Sequence, residues 1–338
     1  MPERVQTSPS EMRRDRLTGI SVIIVKGRDG RPKDIKISPP ESSSDSCDLC
    51  PGQEDKTPAE IMRLPKDGNP WKVRVMPNKW AIMRIEGQPE FDEGHRVNYH
   101  IRNARGAHEL IIMTPDHHDN PATLGTEQWS LSLEALIDRQ HDLYYNMPDI
   151  EFIQSWMSYG HEAGASLIHP HMQLIYMPTN PLLPIITNAA YYHDEHRHSI
   201  FEKIINEAKE DEIIFVDRSD FVAFCPYASI QPFMVRIIPK FTASNLDQNR
   251  VYTLGLAQVL NECFVRLRNV IGYVPSLNIT FHEIPYRWRD SERFFRFWID
   301  IIPQINKAAG FEWGAFHRIF VNSTLPEEAA RLLREVQT

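Results

Sequence analysis

An α+β fold built as two similar halves is predicted for this chain of 338 residues, on three observations. Short apolar or alternating runs of strand length occur in both halves. Each half also carries a long amphipathic helical pattern. The order strand, helix, strand, strand in the first half recurs in the second, which is the mark of an internal duplication. The halves are expected at 1–180 and 181–338.

Residues 1–20 are polar and read as an irregular arm. Gly19 to Val25 reads as a short strand, followed by a turn through Lys26–Pro32. Pro39 to Asp45 is a Ser/Pro-rich loop. Trp71 to Ile85 and His108 to Thr114 run apolar or alternate, as strands do. Thr126 to Tyr145 places Trp129, Leu133, Leu136, Ile137 and Leu143 at helical spacing. Ile150 to Ser158 and Leu167 to Met177 close the first half as strands. In the second half, Phe221 to Pro239 supplies strands. Asp247 to Val270 is a helical pattern through Val251, Leu254, Val259, Leu260, Phe264 and Leu267. Leu277 to Ile284 and Phe294 to Ile302 read as strands, and Leu325 to Val336 as a closing helix with proline and glutamates at its start. The stretch with His193, His196 and His198 reads as a solvated polar linker.

Composition narrows the function. Hydrophobic content of 42% and charged content of 24% are ordinary for a globular protein. A net charge of −8 argues against a general nucleic-acid binder. It still allows a nucleotide substrate, since a few arginines suffice for one phosphate group. No run approaches the ~18 apolar residues of a membrane span, and Met1-Pro-Glu-Arg4 lacks a signal-peptide core. A cytoplasmic protein with no membrane partner is expected.

The densest chemistry lies in Gly164-Ala-Ser-Leu-Ile-His-Pro-His-Met-Gln173. His169, His171 and Gln173 alternate, and on a strand they share one face. One imidazole can attack phosphorus while the carboxamide donates to a phosphate oxygen. The small residues before them, Ser166 included, let backbone amides approach an anion. A pocket rim covered by two histidines is the plainer alternative. Of the four cysteines, Cys225 and Cys263 sit in apolar stretches and read as inert thiols. Cys47 and Cys50 could supply half of a tetrahedral metal site or remain free thiols. The next candidate ligands are distant: His117 is 67 residues beyond Cys50, and His169 a further 52. His117-His118 could equally be a surface turn. Arg28 and Arg31 flank a glycine turn that could grip phosphate or simply be solvated.

Taken in order, these segments resemble the galactose-1-phosphate uridylyltransferase family of the histidine-triad superfamily. The resemblance runs through Asp15-Arg-Leu-Thr-Gly19, Arg28 with Arg31-Pro32, Cys47-Asp-Leu-Cys-Pro-Gly52 and Val73-Arg-Val-Met-Pro-Asn-Lys79. It continues with Pro115-Asp-His117, Glu162-Ala-Gly-Ala-Ser166, His169-Pro-His-Met-Gln173, Phe281-His282, Ala309-Gly-Phe-Glu312 and Pro326-Glu-Glu-Ala-Ala330. It implies two histidine-triad-like halves, each an antiparallel sheet with packed helices. It implies ping-pong transfer of a nucleoside monophosphate from a nucleotide sugar (UDP-glucose or UDP-galactose) to a sugar 1-phosphate, as in galactose metabolism. His171 matches the nucleophile that becomes nucleotidylated, and Gln173 the glutamine that donates to the transferring phosphoryl group. Cys47, Cys50, His117 and His169 match structural zinc ligands. Asn78 falls in the nucleoside-binding segment, Arg28 and Arg31 in a phosphate-contacting one, and a homodimer is implied. A nucleoside-diphosphate-sugar phosphorylase of ADP-glucose type, or a nucleotide hydrolase, would use the same histidine.

The second half departs from the pattern. Setting Pro303 against Pro178 puts Phe294, Arg296 and Trp298 opposite His169, His171 and Gln173. One reactive centre per chain is therefore expected, in the first half, with the second as scaffold and substrate wall. The family's second-half His-x-His, which serves another metal, is replaced by Arg296-Phe-Trp298, and no second metal is expected. Both uridine and adenine nucleotides remain open.

Overall fold

The structure, a computed structural model, describes residues 10–25, 39–40, 47–68, 70–86, 105–147, 151–284, 286–307, 310–314 and 318–338. Two short strands, β1 (Glu11–Arg14) and β2 (Ser21–Ile24), pair antiparallel near the N-terminus. The first half then supplies β3 (Met62–Leu64), β4 (Val73–Pro77), β5 (Ala107–Ile112), β6 (Phe152–Tyr159) and β7 (His171–Met177). The second supplies β8 (Ile214–Asp217), β9 (Phe221–Phe224), β10 (Val235–Pro239), β11 (Leu277–His282) and β12 (Trp298–Pro303). These ten form one antiparallel sheet in the order β3-β4-β5-β7-β6-β11-β12-β10-β9-β8. From each edge to the centre the chain order follows one pattern, and the halves meet where β6 pairs with β11. β13 (Ile319–Asn322) lies parallel to β2 and completes the small three-stranded sheet. The α+β class with antiparallel strands is therefore observed.

The helices are α1 (Gly125–Asn146), α2 (Leu183–His196), α3 (Ile200–Glu210), α4 (Thr253–Ile271) and α5 (Pro326–Glu335). α1 and α4 pack side by side, with the rings of Trp129 and Phe264 stacked 5.3 Å apart. α4 stops at Gly272, whose φ of +91° is inexpensive only for glycine.

Strand alternation gives the large sheet two unlike faces. One face is apolar: Val75, Ile111, Met172, Met157, Ile279, Ile301 and Ile237 are fully buried in the main core with Trp129, Leu133, Leu260 and Phe264. Burying each such side chain stabilises the fold by roughly 1.5–3 kcal/mol. The other face carries polar groups. Register aligns Leu110, Gln173, Trp156, Thr280, Asp300 and Arg236 in one row across both halves.

Several expectations are corrected. The N-terminal arm is not wholly irregular, because β1 pairs with β2. The strand expected over Trp71 to Ile85 ends at Pro77, where Asn78 Oδ1 accepts the Trp80 N–H and turns the chain. β7 begins at His171, so His169 lies in the bend before the strand and not on its face. β12 begins at Trp298. Phe294 and Phe295 bond back to Ser291, and Phe297 to Ala243, which removes Arg296 from the sheet. The Arg296 guanidinium meets Glu202 at 2.8 Å and the Lys240 carbonyl at 3.0 Å instead. The polar linker around His193 and His196 is the end of α2, where His193 is half-buried with its ring 6.4 Å from that of Phe294 and His196 is exposed. The 253–271 helix is preceded by a 3-10 segment, Asp247–Tyr252, and it exposes Val251 and Leu254. Strands β3, β8 and β13 and helix α3 are further elements that the sequence patterns did not single out.

Candidate active site and metal centre

The cysteine loop is fixed to the polar face of the sheet by its own apolar residue. Leu49 is buried with Trp71, Met76, Leu110 and Ile112. That anchors Cys47 and Cys50, while Cys50 N–H bonds the Cys47 carbonyl at 3.3 Å to close the turn. His117 enters from the turn after β5. There Thr114 Oγ accepts from the Asp116 N–H at 3.1 Å and donates to Asp119 at 2.8 Å. His117 turns inward and is buried; its neighbour His118 stays exposed. His169 reaches the same point from the bend before β7.

The four ligand atoms lie within 4.8 Å of one another. The His117 Nδ1–Cys50 distance is 3.4 Å, His169 Nδ1–Cys50 3.6 Å and His169 Nδ1–Cys47 3.8 Å. Tetrahedral coordination with thiolate and imidazole bonds of about 2.3 and 2.0 Å requires donor edges of about 3.3–3.8 Å, so the residues fit a metal ion. Burial, then the neighbouring Cys47, pushes the Cys50 thiol up to about 11. A cation that displaced the protons would relieve that cost. Burial holds His169 down at about 4, hence neutral. Its Nε2 donates to the Thr114 carbonyl at 2.8 Å, which orients Nδ1 toward the sulfurs.

His169 serves the site a second time through its backbone. The carbonyl of His169 accepts from His171 Nδ1 at 2.8 Å. A carbonyl can only accept, so Nδ1 carries the proton and the lone pair is on Nε2. Burial lowers the His171 pKa further, which keeps the ring neutral at pH 7. His171 and Gln173 share the polar face of β7 by alternation, and Gln173 sits opposite Leu110 and Trp156.

A residue that the sequence analysis placed only at the start of a strand joins them. His108 on β5 places Nε2 2.9 Å from Gln173 Oε1 and 3.1 Å from Asn78 Nδ2. Its ring stacks on Trp156, with centroids 5.9 Å apart. The signal in the sequence was a histidine in phase with Leu110 and Ile112, which identifies a site residue only once β5 is known to pair with β7. The structure thus brings together Cys47, Cys50, His117 and His169 at one point, and Asn78 and Gln173 at another beside His171. Ser166 is exposed in the loop between Gly164 and His169. Arg28 and Arg31 lie outside the described residues.

The second half supports this loop. Asn278 donates to the Ala163 carbonyl at 3.0 Å, and Lys307 pairs with Glu162 at 3.0 Å. Between them lies a cleft of ≈620 Å³ bounded by Trp156, Gly164, Asn278, Thr280 and Gln304. Further along the row stands a buried ion network. Arg236 meets Asp300 at 2.7 Å and Asp15 at 2.8 Å.

No family model matches the chain. Curated relatives do. An ADP-glucose phosphorylase from Arabidopsis thaliana is 26% identical over 99% of this chain and 95% of its own length. A galactose-1-phosphate uridylyltransferase from Thermotoga maritima is 24% identical over 97% of this chain and 98% of its own. The crystal structure of an Arabidopsis thaliana ADP-glucose phosphorylase with bound ADP-glucose superposes with a TM-score of 0.83 at 24% identity, covering 98% of this chain and 99% of that one. Along almost its full length the chain is thus similar in sequence to an ADP-glucose phosphorylase and to galactose-1-phosphate uridylyltransferases, and it shares the fold of the former, in keeping with the ordered motifs.

Proposed function

We propose that the chain is a nucleotidyltransferase that moves a nucleoside monophosphate from a nucleotide sugar to a sugar 1-phosphate through a covalent bond to His171. The observation that carries this reading is the His171 Nδ1–His169 carbonyl bond, which leaves Nε2 as the nucleophile. In the first step Nε2 attacks the α-phosphorus. The P–N bond forms, the bond to the bridging oxygen breaks, and sugar 1-phosphate departs with that electron pair. The imidazole becomes cationic, and the His169 carbonyl stabilises the charge through the Nδ1 proton. In the second step an acceptor phosphate oxygen attacks phosphorus, and the P–N pair returns to the ring. Gln173 would donate to a non-bridging oxygen, and Asn78, Ser166, Arg28 and Arg31 would bind the rest of the nucleotide sugar.

Zinc suits the Cys47–Cys50–His117–His169 set, since two thiolates and two imidazoles favour it over hard cations. Its part would be to tie the cysteine loop to the bend just before His171, with every ligand position filled by protein. The first half, 1–180, would hold the chemistry and the second, 181–338, the substrate wall. A homodimer is proposed on the strength of the family.

A second reading differs only in the acceptor. Similarity to ADP-glucose phosphorylase over 99% of the chain favours inorganic phosphate taking the nucleotidyl group. Incubation with UDP-glucose, UDP-galactose or ADP-glucose, followed by intact-protein mass spectrometry, tests the common step. A uridylyl or adenylyl increment is expected. Its discharge by galactose 1-phosphate or by phosphate separates the acceptors, and loss to water alone indicates a hydrolase. If no increment appears with any nucleotide sugar, the covalent mechanism is wrong.

A further inference from the structure

We infer that His108 is a positioning residue for the transfer: it holds the Gln173 carboxamide oxygen so that the amide hydrogens are turned to the transferring phosphoryl group. The inference rests on the nucleotidyl-transfer reading and adds a residue to it.

A carboxamide is ambiguous until something fixes which end faces the substrate. The Ile82 backbone N–H donates to His108 Nδ1 at 3.3 Å, and a backbone amide can only donate. Nδ1 is therefore the unprotonated nitrogen, and Nε2 carries the hydrogen. That hydrogen points to Gln173 Oε1, 2.9 Å away. With its oxygen taken, Gln173 presents its NH₂ to whatever stands beside His171. Asn78 is fixed by the same logic. Its Oδ1 accepts from Trp80 N–H at 2.8 Å, so its NH₂ is the end directed inward. In this tautomer the Asn78 NH₂ and the His108 Nε2–H approach donor to donor at 3.1 Å, so the Asn78 hydrogens need an acceptor other than the ring. Two amide groups are thus left as donors toward one ligand rich in acceptors, as a nucleoside phosphate is. The arrangement is preorganised: β5, β7 and the turn after β4 set it before substrate arrives. Burial lowers the His108 pKa, so the ring keeps the neutral tautomer that this requires.

Packing is the rival explanation, because His108 also stacks on Trp156. Two substitutions separate the roles. His108→Gln keeps a donor at about the reach of Nε2 and loses the ring. His108→Phe keeps a ring on Trp156 and loses the donor. The readouts are the single-turnover rate of His171 nucleotidylation by UDP-glucose or ADP-glucose, the equilibrium binding of the same compound, and Tm. Positioning predicts a rate lowered at least 10-fold in His108→Phe with binding changed less than 3-fold. It predicts His108→Gln within about 3-fold of wild type. The double variant His108→Phe/Gln173→Ala should react no more slowly than Gln173→Ala alone, since the two residues act as one unit. A reversed order of the single variants, or losses that multiply in the double variant, would overturn the inference while the adduct in wild type left the transfer mechanism standing. Absence of an adduct in wild type would remove both.

Discussion

His169 carries two separable duties in one residue, a ring in the Cys47–Cys50–His117–His169 cluster and a carbonyl for His171. His169→Ala removes only the first. It should lower bound zinc, measured by elemental analysis, from near one per chain to a small fraction. Tm should fall on the order of 10 °C. Nucleotidylation should persist at a reduced rate, because the backbone acceptor is unchanged. His171→Gly should do the opposite: full zinc content, a native Tm and no adduct. Equal zinc in wild type and His169→Ala would remove His169 from the ligand set. At this scale the sequence was informative where spacing is local. The alternation of His171 and Gln173 could be read directly, since strand geometry fixes it. The Cys47–Cys50 pair announced half a ligand set, but the union with His117 and His169 depends on long-range folding and came from the family pattern. His108 was missed for the same reason.

The row across the sheet changes character between elements. On β7 it holds Gln173; on β10 and β12 it holds Arg236 and Asp300. Burial alone would raise the Asp300 carboxyl, yet the Arg236 charge, with hydrogen bonds from His282 and Arg236, holds it far below the usual carboxylate range. Its contribution is therefore present above the unfolded carboxyl pKa and lost as pH falls through the folded one. Asp300→Asn would leave Arg236 with Asp15 alone in a buried setting. Breaking a buried pair in this way costs roughly 3–5 kcal/mol, readable as a lower midpoint in urea at pH 7. A loss under about 1 kcal/mol would show the network to be dispensable. The long helices α1 and α4 were evident from apolar spacing. The strand at Trp298 was placed four residues early because Phe294, Phe295 and Phe297 are apolar yet bond to Ser291 and Ala243. Hydrophobicity reports burial, and it does not report which partner takes the backbone hydrogen bonds.

One buried carboxyl joins the two halves of the whole molecule. Glu283, at the end of β11, accepts from Gln140 of α1 at 2.7 Å and from the Leu246 N–H at 2.8 Å. Burial pushes its pKa up to about 7 against those two bonds. The folded protein thus holds a proton that the unfolded chain releases near pH 4–5. Stability should fall as pH rises from about 5 to about 7 and level off above, by at most about 3 kcal/mol from this group. Glu283→Gln should flatten that slope; an identical slope in wild type and variant would contradict the assignment. No helix among the described residues is long and apolar enough to cross a membrane. The proposed mechanism requires one imidazole of this assembly to bond to phosphorus. Peptide mass spectrometry of protein quenched after mixing with UDP-glucose or ADP-glucose tests it directly. The nucleotidyl mass is predicted on the peptide containing His171, and it should be lost in His171→Gly. A label on another residue, or its persistence in that variant, would contradict the account.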